Sequence, residues 1–225
     1  MPDTAGYRQV YEEADRNVII NPYRYAGGAS DYTTNMILQV LEDTGFSGGT
    51  WTDQSGAGND LTYGTGFTHN GTENAVEGDG SADATLSLGS WGEADFTMFA
   101  AMKTSDAAFM LTQGDASTEF AGVAQDTSSD PSYLNAGTPV YYTDDVLVSP
   151  NKRDDLHTSW STNTYLVATM TDVDGSGWTS LRLFDYSGGG FDFTGFIKEI
   201  RIYDTDLTAG QRATVVSAMQ TTHGI

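Results

Sequence analysis

The sequence predicts an all-β protein, an antiparallel β-sandwich with a short C-terminal helix. Three observations carry that expectation. Gly is abundant, at 26 of 225 residues, and Pro is scarce, at 5, which suits many turns between short strands. Aromatic residues make up 12% of the chain and fall in short runs with β-branched neighbours. Helical periodicity is confined to two short stretches. A chain of this length can bury the core of one such sandwich.

Residues 7–16 are of mixed charge and include Tyr7 and Tyr11. Val18, Ile19 and Ile20 form a β-prone run ended by Asn21 and Pro22. Met36, Ile37, Val40 and Leu41 are spaced as one apolar helix face, with Thr33 or Thr34 as N-cap and Gly45 beyond the end. A buried strand is the alternative for so short a run. Residues 1–49 therefore read as an N-terminal segment, either a first strand or helix or an arm that attaches to a partner. From residue 50 the pattern is strand, turn, strand. Residues 78–81 make a turn and residues 95–102 are the most apolar run, a core strand. Residues 109–111 and 119–124 give the next two strands, and 125–131 is turn-forming. Residues 139–149 alternate around Tyr141, Tyr142, Val146 and Val148. Residues 165–170 and 181–184 bracket a hairpin-style turn at 172–178, and 187–190 is a glycine-rich tip. In the last strand Ile197, Glu199, Arg201 and Tyr203 alternate with Lys198, Ile200 and Ile202. Thr208 and Gln211 fit a capping box, from which Val215, Val216 and Met219 face the sandwich. With no repeat and no linker, residues 50–225 read as one domain.

Charge bounds the partners. Thirty-one acids against 10 bases give a net charge of −21, with Lys only at 103, 152 and 198. Such a chain repels nucleic acid and anionic membranes. Abundant Asp and scarce Lys point to a high-salt environment, where self-repulsion is screened. Cysteine is absent, which excludes disulfides and thiolate chemistry. The N-terminus has no basic and apolar leader pattern, and no apolar run is long enough for membrane insertion. Asn70-Gly71-Thr72 is a glycosylation sequon, expected to be idle without a leader.

Two segments carry a family resemblance. One is Trp51-Thr52-Asp53-Gln54-Ser55-Gly56-Ala57-Gly58-Asn59-Asp60. The other runs from Gly195 through Glu199, Ile202, Tyr203 and Asp204 to Leu207 and Thr208. In order and spacing they resemble the opening turn and closing strand of laminin-G-like, concanavalin-A-like jelly-roll domains of the bacterial and viral type. Residues 78–83 and 96–98 resemble the stretch between. The resemblance covers most of residues 51–225 and implies a jelly roll that binds sugars or other extended ligands without chemistry, often with calcium near a rim.

Each candidate for chemistry has a structural alternative. The related glucanases carry a Glu-x-Asp-x-x-Glu run, and none occurs here; the acids of residues 199–204 belong to the closing signature. His69, His157 and His223 lack the context of the lyases of this fold. The expectation is therefore that the chain is not an enzyme. Asp172 and Asp174 have oxygen ligands at calcium-loop spacing, and Asp53, Asn59 and Asp60 form a second oxygen-rich cluster. In both places turn formation is the alternative. Trp178, Trp160, Tyr141 and Tyr142 are candidates for a sugar platform, Trp178 being the one expected at the surface. Burial is the alternative for each, and Trp51 and Trp91 are assigned to packing. The expected role is a lectin-like virion surface protein of a virus with a halophilic host. It would decorate a capsid or tail as a homo-oligomer and meet host-surface glycans or glycoproteins. Other virion proteins would be met through residues 1–49. A free carbohydrate-binding module or extracellular adhesin is the second reading, and a polysaccharide lyase or glycoside hydrolase the third.

Overall fold

The computed structural model describes residues 32–42, 44–81, 86–149, 152–185 and 190–225. Most of the N-terminal segment, part of the 78–83 stretch and most of the glycine-rich tip lie outside the described residues.

Two antiparallel sheets face one another. The first eight strands are β1 (Met36–Leu41), β2 (Phe46–Ser47), β3 (Thr50–Trp51), β4 (Leu61–Tyr63), β5 (Phe67–Asn70), β6 (Ala75–Asp79), β7 (Leu86–Leu88) and β8 (Asp95–Thr104). They are followed by β9 (Ala108–Gln113), β10 (Phe120–Gln125), β11 (Gly137–Thr143), β12 (Val146–Val148), β13 (Leu166–Asp174), β14 (Leu181–Leu183) and β15 (Thr194–Tyr203). The first sheet has the order β12-β11-β13-β8-β15-β6-β5, and β1 also pairs with β15. The second has the order β10-β9-β14-β7-β4-β3-β2. β1 pairs with residues 199–203 of β15 and β6 with residues 194–197, so the two lie end to end along one side of that long strand.

The core lies between the sheets, where alternate residues of β8 (Phe96, Met98, Ala100, Met102) meet Trp51, Leu61, Leu86, Phe109 and Leu183. A second apolar layer covers the outer face of the first sheet. Helix α2 (Ala209–His223), preceded along the chain by α1 (Arg153–Trp160), sets Val215, Val216 and Met219 against Phe99, Ala101, Val167 and Tyr203. Thr208 Oγ1 accepts the Gln211 N–H and the Gln211 side chain accepts the Thr208 N–H, as the capping box predicts. Gly224 ends the helix in the left-handed conformation.

Several elements differ from the sequence reading. Residues 36–41 take the strand alternative in place of the helix, because the closing strand offers a long edge to pair with. The turn at 172–178 joins no hairpin: β13 lies in the first sheet and β14 in the second, so the chain crosses between layers. In β15 the register shifts between Ile197 and Glu199. That bulge turns Ile197 inward with Ile200 and Ile202 instead of outward with Glu199 and Arg201. Helix α1 was not anticipated. Its only sequence signal is a pair of first-turn acids, Asp154 and Asp155, the latter accepting the Lys152 N–H at 3.3 Å.

Candidate functional site

The aromatic candidates do not form an exposed platform. Trp160 and Tyr141 are fully buried and meet edge to face at 5.7 Å. Trp178 is 3% exposed, packed beside Phe96 and over Gly114, where a side chain would collide with the indole. The turn that carries Trp178 crosses between the sheets and so aims the ring inward, which corrects the expectation that it sits at the surface. Tyr142 is half-buried, and the Arg212 guanidinium lies 3.8 Å from its ring centre.

The two oxygen clusters are turns in which several side-chain oxygens accept hydrogen bonds. Asp53 Oδ1 accepts the N–H groups of Gln39 (2.9 Å) and Ser55 (2.8 Å). Its Oδ2 accepts Ser55 Oγ (2.7 Å) and the N–H groups of Gly58 (2.9 Å) and Asn59 (3.1 Å). Burial pushes the Asp53 carboxyl up, but these donors outweigh it and hold the group below its usual range. Asp60 Oδ1 accepts the Asp53 N–H at 2.8 Å, and Asn59 donates to the Ile37 carbonyl at 2.8 Å. The signature turn thus fastens β1 to the second sheet. Asp174 accepts the Ser176 N–H, and Asp172 sits at φ 57° with its own N–H donated to Asp206. Among the described residues no group of three or more His, Cys, Asp or Glu side chains is arranged to hold a metal. Both expected calcium clusters lie in hydrogen-bonded turns.

The outer face of the first sheet offers a different cluster. Helix α2 covers this face as far as His223, whose ring nitrogens face Glu199 (2.8 Å) and Glu42 (3.2 Å). Glu199 also accepts from Arg201 at 2.6 Å and from Gln39 at 2.8 Å. Burial raises the Glu199 carboxyl, but His223, Arg201 and Gln39 more than reverse it and leave the group lowered. Beyond the helix end the sheet carries partly exposed side chains. Register places Thr68, Glu77, Phe196 and Lys103 in one row across it. Tyr165, just before β13, extends the row. Lys103 Nζ lies 4.7 Å from the Phe196 ring centre and 4.9 Å from that of Tyr165, and Lys198 Nζ lies 4.8 Å from Tyr165. Lys103 pairs with Glu73 at 2.9 Å, and the Tyr165 hydroxyl donates to the same carboxylate at 3.1 Å. The Lys103 bond is the main reason the Glu73 carboxyl is lowered. Burial, then Glu73, pushes the Tyr165 hydroxyl up. Asn70 donates to Glu77 at 2.6 Å, while its Oδ1 accepts the N–H groups of Thr72 and Glu73.

Two of the three lysines of a chain with net charge −21 therefore meet two partly buried rings, two carboxylates and an amide on one sheet face. Rings beside hydrogen-bonding groups are what a sugar requires, an apolar face to stack on and partners for its hydroxyls. Sequence reasoning missed this site because its parts come from residues 68–77, 103, 165 and 196–198. The scarcity of lysine was the one available signal.

No protein-family model matches the chain, and no curated protein matches it in sequence. Solved structures do resemble it. Trypanosoma rangeli sialidase in complex with sialic acid is 10% identical over 86% of this chain and 34% of that one, with a TM-score of 0.53. The same sialidase with 2,3-difluorosialic acid, described as a covalent intermediate, is 12% identical over 88% of this chain and 35% of that one, also at 0.53. The receptor binding domain of botulinum neurotoxin D is 10% identical over 83% of this chain and 53% of that one, at 0.46. The chain spans about a third of the sialidase chains, and what it has in common with them is a β-sandwich fold. The finding that these structures are sialidases overturns the expectation that the chain is not an enzyme, which had rested on missing sequence motifs.

Proposed function

We propose that this chain is a glycan-binding β-sandwich that takes its sugar on the outer face of the first sheet beside the end of α2. The observation that carries the reading is the convergence of Tyr165, Phe196, Lys103 and Lys198 with Glu73 and Glu77. In this reading Phe196 supplies the stacking surface. The ammonium protons of Lys103 and Lys198 not given to Glu73 and Asn74 supply donors for sugar oxygens.

The setting we propose is the surface of a virus particle whose host lives in high salt, with a host glycan or glycoprotein as ligand. The acidic composition and the laminin-G-like signatures support it. Residues 1–49, which besides β1 include the stretch before Tyr32, would meet other particle proteins, and the chain would act as a homo-oligomer. No helix among the described residues is long and apolar enough to cross a membrane. A second reading, a carbohydrate-binding module working beside a glycan-cleaving unit or an extracellular adhesin, is favoured by the partial span of the sialidase chains.

A glycan array read in multimolar NaCl tests the binding claim: selective binding that Phe196→Ala weakens is expected. Silence of the wild-type chain on a broad array would sink it. Purified particles lacking this chain would sink the virion setting alone.

A further inference from the structure

The three exposed large apolar side chains among the described residues are Val146 (68% exposed), Leu147 (57%) and Leu134 (43%). Val146 and Leu147 stand on β12, an edge strand of the first sheet. Leu134 bridges to Phe120 of β10, an edge strand of the second sheet. Helix α1 packs on β10 and touches both β11 and β12, so all three side chains belong to the same flank of the sandwich.

The two edges on this flank differ. Along β10 the chain shields its own edge: Phe120 and Leu134 exchange both backbone hydrogen bonds, and the Val123 N–H reaches the Ser132 carbonyl. Along β12, Thr143 and Val146 flank a two-residue turn, Asp144-Asp145, with both φ angles positive, and therefore form the hydrogen-bonded pair of the hairpin. Leu147 opposes Tyr142 in the next, non-bonded position, so its N–H and C=O point away from β11. Among the described residues they bond no other group. An edge that offers backbone groups together with apolar side chains accepts another strand. The opposite edge of the same sheet, β5, presents Thr68 and His69 instead.

The acids beside β12 are already engaged. Asp145 pairs with the Arg212 guanidinium, and Asp144 accepts the Val167 N–H (2.9 Å) and the Gln220 side chain (3.0 Å). What the edge presents is Val146-Leu147-Val148, a run that reads the same in both directions. Such a run, with its central residue bonding outward, fits an antiparallel copy of itself. On a twofold axis at Leu147 the two copies of that residue exchange both backbone hydrogen bonds, and Val146 of each copy comes opposite Val148 of the other. The two Leu147 side chains then meet on the outer face beside Tyr142, while Val146 is covered on the face that carries Tyr141 and Val148.

We propose that β12 is the contact between two copies of this chain, joining their first sheets into one continuous antiparallel sheet about a twofold axis at Leu147. Its size and charge set when it forms. Three residues a side place it in the weak, reversible class of interfaces, below about 1,200 Å² in total. Each copy carries a net charge of −21, a repulsion whose range falls to about 3 Å at about 1 M salt. The pair therefore assembles in high salt and separates in dilute buffer. This names the contact through which the proposed homo-oligomer forms and rests on that part of the reading alone. Glycan binding by a chain that stays monomeric in high salt would sink the contact and leave the sugar reading standing.

The chain has no cysteine, so single cysteines test the axis on the full chain. Facing copies of residue 147 lie about 5.5 Å apart at Cα, within the range that a disulfide spans. The two copies of residue 146 are two residues out of step, about 7 Å along the strands besides the gap between them, which is beyond that range. In multimolar NaCl, Leu147→Cys should oxidise to a disulfide-linked dimer at least tenfold faster than Val146→Cys, although Val146 is the more exposed of the two. Sedimentation equilibrium should show the wild type moving from monomer towards dimer as NaCl rises from millimolar to multimolar. Leu147→Lys, which reduces the net negative charge, should stay monomeric in the same salt with an unchanged thermal melt. Equal oxidation of the two cysteines, a monomeric wild type at every salt concentration, or a Leu147→Lys chain that still dimerises would each overturn the contact.

Discussion

Replacing Asp53 with Ala should destabilise the chain by about 3 kcal/mol. Its carboxylate accepts five donors, three of them part-buried backbone N–H groups, those of Gln39, Ser55 and Asn59. Loss of each is worth about 1 kcal/mol, whereas the exposed Gly58 N–H turns to water at little cost. Gln39 belongs to β1 and Asn59 holds the Ile37 carbonyl, so the turn and the first strand loosen together. For a chain of this size the loss corresponds to a melting temperature lower by roughly 6–12 °C. Asp53→Asn keeps one acceptor oxygen and should fall about midway. Denaturant unfolding and thermal melts followed by circular dichroism measure both. A fall below about 1 kcal/mol for Asp53→Ala would refute the reasoning that this carboxylate organises the turn. Calcium should not raise the wild-type melting temperature through this turn, since five donors already engage the Asp53 carboxylate.

Glu199 should make the fold acid-sensitive: its folded carboxyl is held below the unfolded value of about 4.3, so its stabilisation is present above that pH and is lost as pH falls through the folded value. Glu199→Gln should flatten the acid limb of a stability–pH curve, and an unchanged limb would exclude this group as its cause. His223→Ala removes a partner from buried Glu199 and should cost roughly 3 kcal/mol in urea unfolding, with α2 the element whose amides lose protection. Stability should rise from low to multimolar NaCl because a net charge of −21 repels itself, and equal melts would remove the high-salt argument. All four tryptophans are buried, so iodide should quench little of the native fluorescence, whereas Phe196→Trp, at a partly exposed position, should add a more quenchable component. Strong quenching of the wild type would contradict the inward placement of Trp178.

Much of the fold was legible because the relevant signals are local. The capping box at Thr208 and Gln211, the apolar run of β8 and the Asp53 turn each depend on neighbours in sequence. The errors fall where a distant partner decides. Residues 36–41 satisfy a helical spacing, but pairing with β15 imposes a strand. One bulge at Lys198 reverses the facing of Ile197, which alternation cannot foresee. Trp178 looked exposed because it follows a turn, yet that turn crosses between sheets and carries the indole into the core. The candidate site was illegible for the same reason: Lys103, Tyr165 and Phe196 meet only through register across three strands.

The central claim is that sugar binds over Phe196 and between the lysines. It is tested most directly by calorimetric titration of an array-selected glycan, in high salt, into wild type and Phe196→Ala. Loss of one stacked ring is worth about 1–1.5 kcal/mol, so affinity should fall roughly tenfold while circular dichroism stays unchanged. A folded Phe196→Ala chain that binds as tightly as wild type would contradict the account.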